Sequence, residues 1–166
     1  KDMQFKLQTD GRLSLLNDNG TTEVLTVSQS GAVGIGETSP DELLHIKSST
    51  ASNPVIKLEN AGDVTNGAQL HFVMSTTSEG DNDIPGTIRF KGQNDASEET
   101  EFATIYARNV DVSNGTEDGE LHFRTIADGS LDTSMIIKSG NVGINTTAPG
   151  ALLDISTATN DVEVAT

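Results

Sequence analysis

The chain has 166 residues, a net charge of −15 and 34% hydrophobic residues, with no Cys, no Trp and one Tyr. A disulfide scaffold, a cysteine-bearing zinc site and a thiol enzyme are excluded. The acidic balance argues against nucleic acid and an anionic membrane, because phosphate surfaces select clustered Lys and Arg, and no apolar run approaches the length of a membrane helix.

Gln4 to Gln8 alternates, with Phe5 and Leu7 on one face, and Asp10-Gly11 is a turn. A hairpin is predicted over Arg12–Val27, built on Leu13-Ser-Leu-Leu and Val24-Leu25-Thr26-Val27 around Asp18-Asn19-Gly20. Asn-Gly tolerates positive φ and is a strong hairpin signal between alternating runs. Gly31-Ala-Val-Gly-Ile-Gly-Glu-Thr-Ser-Pro40 follows, closed by Leu43-Leu44-His45-Ile46.

Beyond a Ser/Thr break, short strands are predicted over Pro54–Leu58 and Gln69–Ser75, the latter with Leu70, Phe72 and Met74 on one face. Thr76–Pro85 and Gly92–Thr100 read as exposed acidic loops. Gly86–Lys91 aligns Ile88 with Phe90, and Glu101–Arg108 sets Ala103, Ile105 and Ala107 opposite Phe102, Thr104 and Tyr106. Leu121–Ile126 opens a second hairpin through Asp128-Gly129 to Met135-Ile136-Ile137. The chain then reaches Gly140-Asn-Val-Gly-Ile-Asn-Thr-Thr-Ala-Pro149, closed by Leu152-Leu153-Asp154-Ile155, and Thr157–Thr166 lacks a pattern.

The two Gly-rich stretches match without a gap, position 140 against position 31, and their flanks match too. Internal repetition of this kind points to one unit used twice. Nearly every run is short, rich in β-branched residues and bounded by turn formers, so the fold class is all-β. The expected form is an elongated homotrimeric β-fibre of interleaved short strands and hairpins, with a β-sandwich as the alternative. Three divisions are drawn: 1–47, the N-terminal hairpin and first Gly-rich motif; 48–139, a β-rich body; and 140–166, the second motif and tail.

The trimer rests on two points. Leu, Ile, Val and Phe make up about a quarter of the residues, thin for a globular chain yet above the disordered range, so the chain is expected to complete its core against copies of itself. Gly34 and Gly143 sit inside strands, where Gly costs stability unless backbones must approach closely. Crowding of three backbones near a threefold axis would supply the reason, with a bulge in a monomer as the alternative. The expected close-packing residues are Gly31, Val33, Gly34, Ile35 and Pro40 in the first copy, and Gly140, Val142, Gly143, Ile144 and Pro149 in the second.

These residues resemble a recurrent signature of phage tail-fibre and related virion fibre proteins, Gly-Asn-Val-Gly-Ile-Gly-Thr-Thr-x-Pro followed by Leu-x-Ile. The second copy departs at Asn145, the first at Ala32 and Glu37. Gly86-Thr-Ile-Arg-Phe, Ala103-Thr-Ile-Tyr-Ala-Arg and Glu117-Asp-Gly-Glu-Leu-His-Phe-Arg-Thr resemble the repeat body of such fibres, so the likeness spans roughly Leu13 to Ile155. The resemblance implies a homotrimeric, β-rich shaft or shaft-proximal segment of a virion appendage that supports host attachment. Its partners would be two further copies and neighbouring virion proteins, with a host-surface glycan as a further candidate. A receptor- or glycan-binding β-domain, or a bacterial extracellular adhesin module at the cell surface, is the alternative. Position 1 is Lys, which fits a piece of a longer polypeptide.

No catalytic, cofactor-binding or metal-ligating residues are assigned, and no enzyme is expected. Nucleophile elbows, phosphate loops and His-Glu-x-x-His are missing from the sequence. His71 and His122 share a Leu-His-Phe context, but a strand histidine usually has an ordinary hydrogen-bonded role. The loops Asp81-Asn82-Asp83, Glu117-Asp118 and Asn17-Asp18-Asn19 offer oxygens for calcium, yet none fits an EF-hand, and Asx turns explain their composition.

Overall fold

A computed structural model describes residues 3–17, 19–62 and 65–156. Asp18, in one of the Asx-rich loops weighed for calcium, and the tail Thr157–Thr166 lie outside the described residues. The described residues contain strands and no helix, so the all-β fold class holds. The chain forms two compact units, Lys1–Gln69 and Leu70–Thr166.

The first unit is a five-stranded sheet: β1 (Gln4–Leu7), β2 (Leu13–Leu16), β3 (Glu23–Val27), β4 (Val33–Ile35) and β5 (Leu44–Ile46), in spatial order of sequence. Three antiparallel hairpins join β1 to β4. Each turn ends in a glycine at positive φ, Gly11, Gly20 or Gly31, whose N–H donates back three residues to Gln8, Asn17 or Ser28. Each turn is closed by a residue in the left-handed region, a geometry that favours Gly.

The second unit is six-stranded: β6 (Gly86–Gln93), β7 (Glu99–Asp111), β8 (Asp118–Ala127), β9 (Ser130–Lys138), β10 (Asn141–Ile144) and β11 (Leu153–Ile155). It is again a meander, in order β11-β10-β9-β8-β7-β6. Asp128-Gly129 and Ser139-Gly140 turn with both residues at positive φ, as two-residue hairpin loops require. The hairpins expected from Leu13 and Leu121, and the strands expected at Gly86–Lys91 and Glu101–Arg108, are all present. The division at 47 falls just past β5, and that at 139/140 falls in the β9–β10 turn, inside the second sheet.

Both meanders end in the same way. β5 pairs parallel with β4, and β11 parallel with β10, after only a short link. A parallel connection normally needs a dozen or more residues to carry the chain back along the strand. Here the strands pair over three residues, so the return path is short enough without a helix.

Two expected strands are corrected. Pro54–Leu58 and Gln69–Ser75 belong to no ladder. Their alternation has the right period, but alternation alone does not make a ladder, and neither segment is paired in either sheet.

Candidate assembly interface

Residues directly opposite one another in a ladder lie on the same face, so the register gives the chemistry of each sheet surface. In the first unit one row runs Phe5, Leu15, Leu25, Ile35, Ile46, and the next row on that face runs Leu7, Leu13, Val27, Val33, Leu44. In the second unit the corresponding rows are Ile88, Ile105, Phe123, Met135, Ile144, Ile155 and Gly86, Ala107, Leu121, Ile137, Val142, Leu153. No polar residue interrupts these rows.

An antiparallel sheet ordinarily buries its apolar face and turns its polar face to water. This chain does the reverse. Phe5 is 78% exposed, Leu44 56% and Leu153 58%, and none of the twenty-two positions in these rows is buried. The buried strand residues lie on the opposite face: Ser14 (0%), Leu16 (4%), Thr26 (1%) and Gly34 in the first unit, Thr104 (4%), Glu120 (4%), His122 (3%), Ile136 (0%) and Gly143 in the second. In the second unit a cavity of about 250 Å³ opens on the apolar face, lined by Phe72, Gly86, Ile88, Ile105, Ala107 and Leu121 among others.

The return link passes over the central glycine of the polar face. A Cβ at Gly34 would collide with the carbonyl oxygen of Glu37, and one at Gly143 would lie 2.6 Å from the Thr146 carbonyl oxygen and 2.9 Å from Ile136 Cγ2. The close approach that the sequence placed between chains is therefore made within one chain: the link crosses directly over its own strand. Gly31 and Gly140 hold the positive-φ turn that starts each motif, and Pro40 and Pro149 lie in the link. Val33, Ile35, Val142 and Ile144 stand on the open apolar face.

Asn145, where the motif expects Gly, has φ +54°, against +69° at Gly36. Asn is the residue other than Gly that most readily accepts this region. Its Nδ2 donates to the Ser156 carbonyl at 2.9 Å, at the place where the Lys47 carbonyl closes over Gly36.

Each polar face is organised around one carboxylate. In the first unit Glu23 accepts from Arg12 Nη2 at 2.9 Å, Gln8 Nε2 at 2.8 Å, Ser14 Oγ at 2.8 Å and Thr26 Oγ1 at 3.2 Å. The Arg12 hydrogen bond, with help from Ser14 and Thr26, holds its carboxyl below the ordinary range against the opposing effect of burial. In the second unit the Glu120 side chain is fully buried and meets Lys138 Nζ at 2.6 Å, His122 Nε2 at 2.9 Å and Arg108 Nε at 3.0 Å. Burial alone would raise its carboxyl, but the hydrogen bonds from Lys138, His122 and Arg108 together outweigh that and hold it down at about 2. Tyr106 stacks on His122 with ring centroids 4.5 Å apart. The sequence pointed to His122 but not to its partners; the alternation Glu120, His122, Arg124 against Leu121, Phe123 was the available signal.

The remaining histidine and acidic-loop candidates form no metal-holding group among the described residues. His71 lies in the irregular segment before β6, whereas His122 is engaged with Glu120. Asp111 accepts the Ser113 N–H two residues on, as an Asx turn does, and Asp81 accepts the Val112 N–H from the segment after β7. Among the described residues no three His, Cys, Asp or Glu are grouped to hold a metal ion, and no helix is long and apolar enough to cross a membrane. The chain matches no protein-family model and no curated protein at a significant level.

Proposed function

We propose that the chain is a structural shaft or shaft-proximal segment of a homotrimeric fibre, of the kind found in phage tails and other virion appendages. The observation that carries this reading is the inversion of both sheets: each leaves a continuous apolar face open while its buried strand residues lie on the polar face. Contiguous apolar surface of this extent marks an interaction site in a protein that stays dispersed. Copies of the same chain are the simplest cover, since each brings faces of matching chemistry, and a closed ring of copies leaves no apolar surface over. The number three comes from the resemblance of Gly31–Pro40 and Gly140–Pro149 to the fibre signature. The function is then mechanical: to hold neighbouring virion proteins at a fixed distance while host attachment occurs elsewhere on the appendage.

The test is sedimentation equilibrium of the purified chain with electron microscopy of the same sample. A particle of three 17.4 kDa chains, rod-shaped in the images, is expected. A stable monomer at micromolar concentration overturns the reading.

A further inference from the structure

The chain holds three Asn-Gly pairs, Asn19-Gly20, Asn66-Gly67 and Asn114-Gly115. Such a pair can cyclise: the glycine nitrogen attacks Cγ of the asparagine, and the missing Cβ leaves the approach open. The nitrogen attacks only after losing its proton, so it must be free of any hydrogen-bond acceptor. The asparagine side chain must also be free to turn onto it.

The fold withholds these conditions from two of the pairs. Gly20 N–H donates to the Asn17 carbonyl at 2.9 Å, and Asn19 Oδ1 accepts the Thr21 N–H at 3.1 Å and the Thr21 hydroxyl at 2.5 Å. Gly115 N–H donates to Glu117 Oε2 at 3.1 Å, so a carboxylate stands where the nitrogen would have to become negative. Both glycines are fixed in turns at positive φ, +70° and +91°. The third pair is held by none of this. Asn66 and Gly67 are exposed, in a segment outside both sheets. Among the described residues the Gly67 N–H makes no hydrogen bond. The bond at Asn66 runs from Asn60 Nδ2 to its main-chain carbonyl at 2.9 Å, which leaves its side chain untied.

We infer that Asn66 is a site of spontaneous deamidation, and that the fold protects Asn19 and Asn114 from the same reaction. The Gly67 nitrogen gives up its proton to solvent and bonds to Asn66 Cγ. The Cγ–Nδ2 bond breaks, and the side-chain nitrogen takes a proton from solvent and leaves as ammonia. Water then opens the cyclic imide at either carbonyl, leaving aspartate or isoaspartate at position 66. The net reaction consumes one water and releases one ammonia, with nothing oxidised or reduced. Either product adds a negative charge to a chain that already carries −15. The isoaspartate form also puts a methylene into the main chain beside the Asn60 contact.

The test is to incubate the full chain at mildly alkaline pH, digest it and map the peptides by mass spectrometry. Position 66 should gain acid at least about fivefold faster than positions 19 and 114, the protection expected of one hydrogen bond. In the chain unfolded by guanidinium the three should convert at similar rates, because the protecting bonds are gone. Gly67→Ala supplies a second measurement. A Cβ there meets nothing within 4 Å, so the melt should be unchanged while the added methyl slows conversion at position 66 alone. Conversion at position 19 or 114 as fast as at 66 in the folded chain overturns the inference. So does an order of rates that survives unfolding.

Discussion

The two sheets are built on one frame and differ in what fills it. Both carry two wholly apolar rows on one face, a positive-φ turn before the Gly-rich strand, and a link that folds back over the central glycine. On the other face the same central row reads Ser14, Thr26, Gly34, His45 in the first unit and His122, Ile136, Gly143, Asp154 in the second. The carboxylate that organises that face, one row away, is Glu23 on β3 in one and Glu120 on β8 in the other. What repeats is geometry and apolar surface, while the buried polar chemistry is solved twice by different residues. A face fixed in both units by contact with something else would have this character, and a face that only has to satisfy itself is free to vary.

The largest expected effect lies on the repeated face. Leu15→Asp and Phe123→Asp each place a charge in the middle of an apolar row, at structurally equivalent positions. Burial of an unpaired carboxylate costs several kcal/mol per copy, on the order of 3–5 kcal/mol. Sedimentation should show both variants losing the assembled species. If one dissociates and the other does not, the equivalence of the two faces fails.

Next come the glycines. Gly34→Ala and Gly143→Ala force a methyl against the link's own carbonyl, an overpacking cost of about 1–3 kcal/mol each. The effect should be larger at Gly34, where the carbonyl sits closer. Thermal melts with exchange of the Lys47 and Ser156 amides, which bond to Ile35 and Ile144, would report each link separately.

The polar faces should separate in acid. Because Glu120 is held at about 2 in the folded protein, below its ordinary 4.5, its stabilisation is complete above pH 4.5 and is lost as the pH falls from there towards 2. Glu120→Gln removes this, leaving Arg108 and Lys138 without their partner, at a cost of about 3 kcal/mol near neutrality. The gap in stability between the parent chain and the variant should narrow between pH 4.5 and 2. Glu23 is lowered too, so the parent keeps an acid-sensitive first unit in either background.

The smallest effect is expected at the motif's one irregular position. Asn145→Gly keeps the left-handed backbone but loses the hydrogen bond to Ser156, so stability should change by under about 1 kcal/mol. Gly36→Asn should cost more, since a Cβ there meets the Lys47 carbonyl. Equal melting shifts for the two would show that the links are not as different as Asn145 implies.

Most of the fold was legible along the chain because its turns carry chemistry. Asn19-Gly20 and Asp128-Gly129 fix hairpins locally, and alternation in runs such as Leu121-His-Phe-Arg sorts side chains onto faces before any contact is known. Pro54–Leu58 and Gln69–Ser75 show where this fails, since alternation records which residues suit a strand and not whether a neighbouring strand exists. Of the glycines expected to pack closely, Gly34 and Gly143 meet a backbone, that of their own chain, whereas nothing stands within 4 Å of a Cβ at Gly31 or Gly140. Nothing in Val33-Gly34-Ile35 states that the oxygen over it belongs to Glu37.

The residues alone determined an all-β chain, the duplicated motif, its obligatory glycines and the two-sided character of each strand, since turn preference and period-two alternation are local properties. Only the tertiary structure decided which side is open. The three-residue parallel pairing brings each link back over the central glycine of the polar face, and the greasy rows on the other face of both sheets are left uncovered.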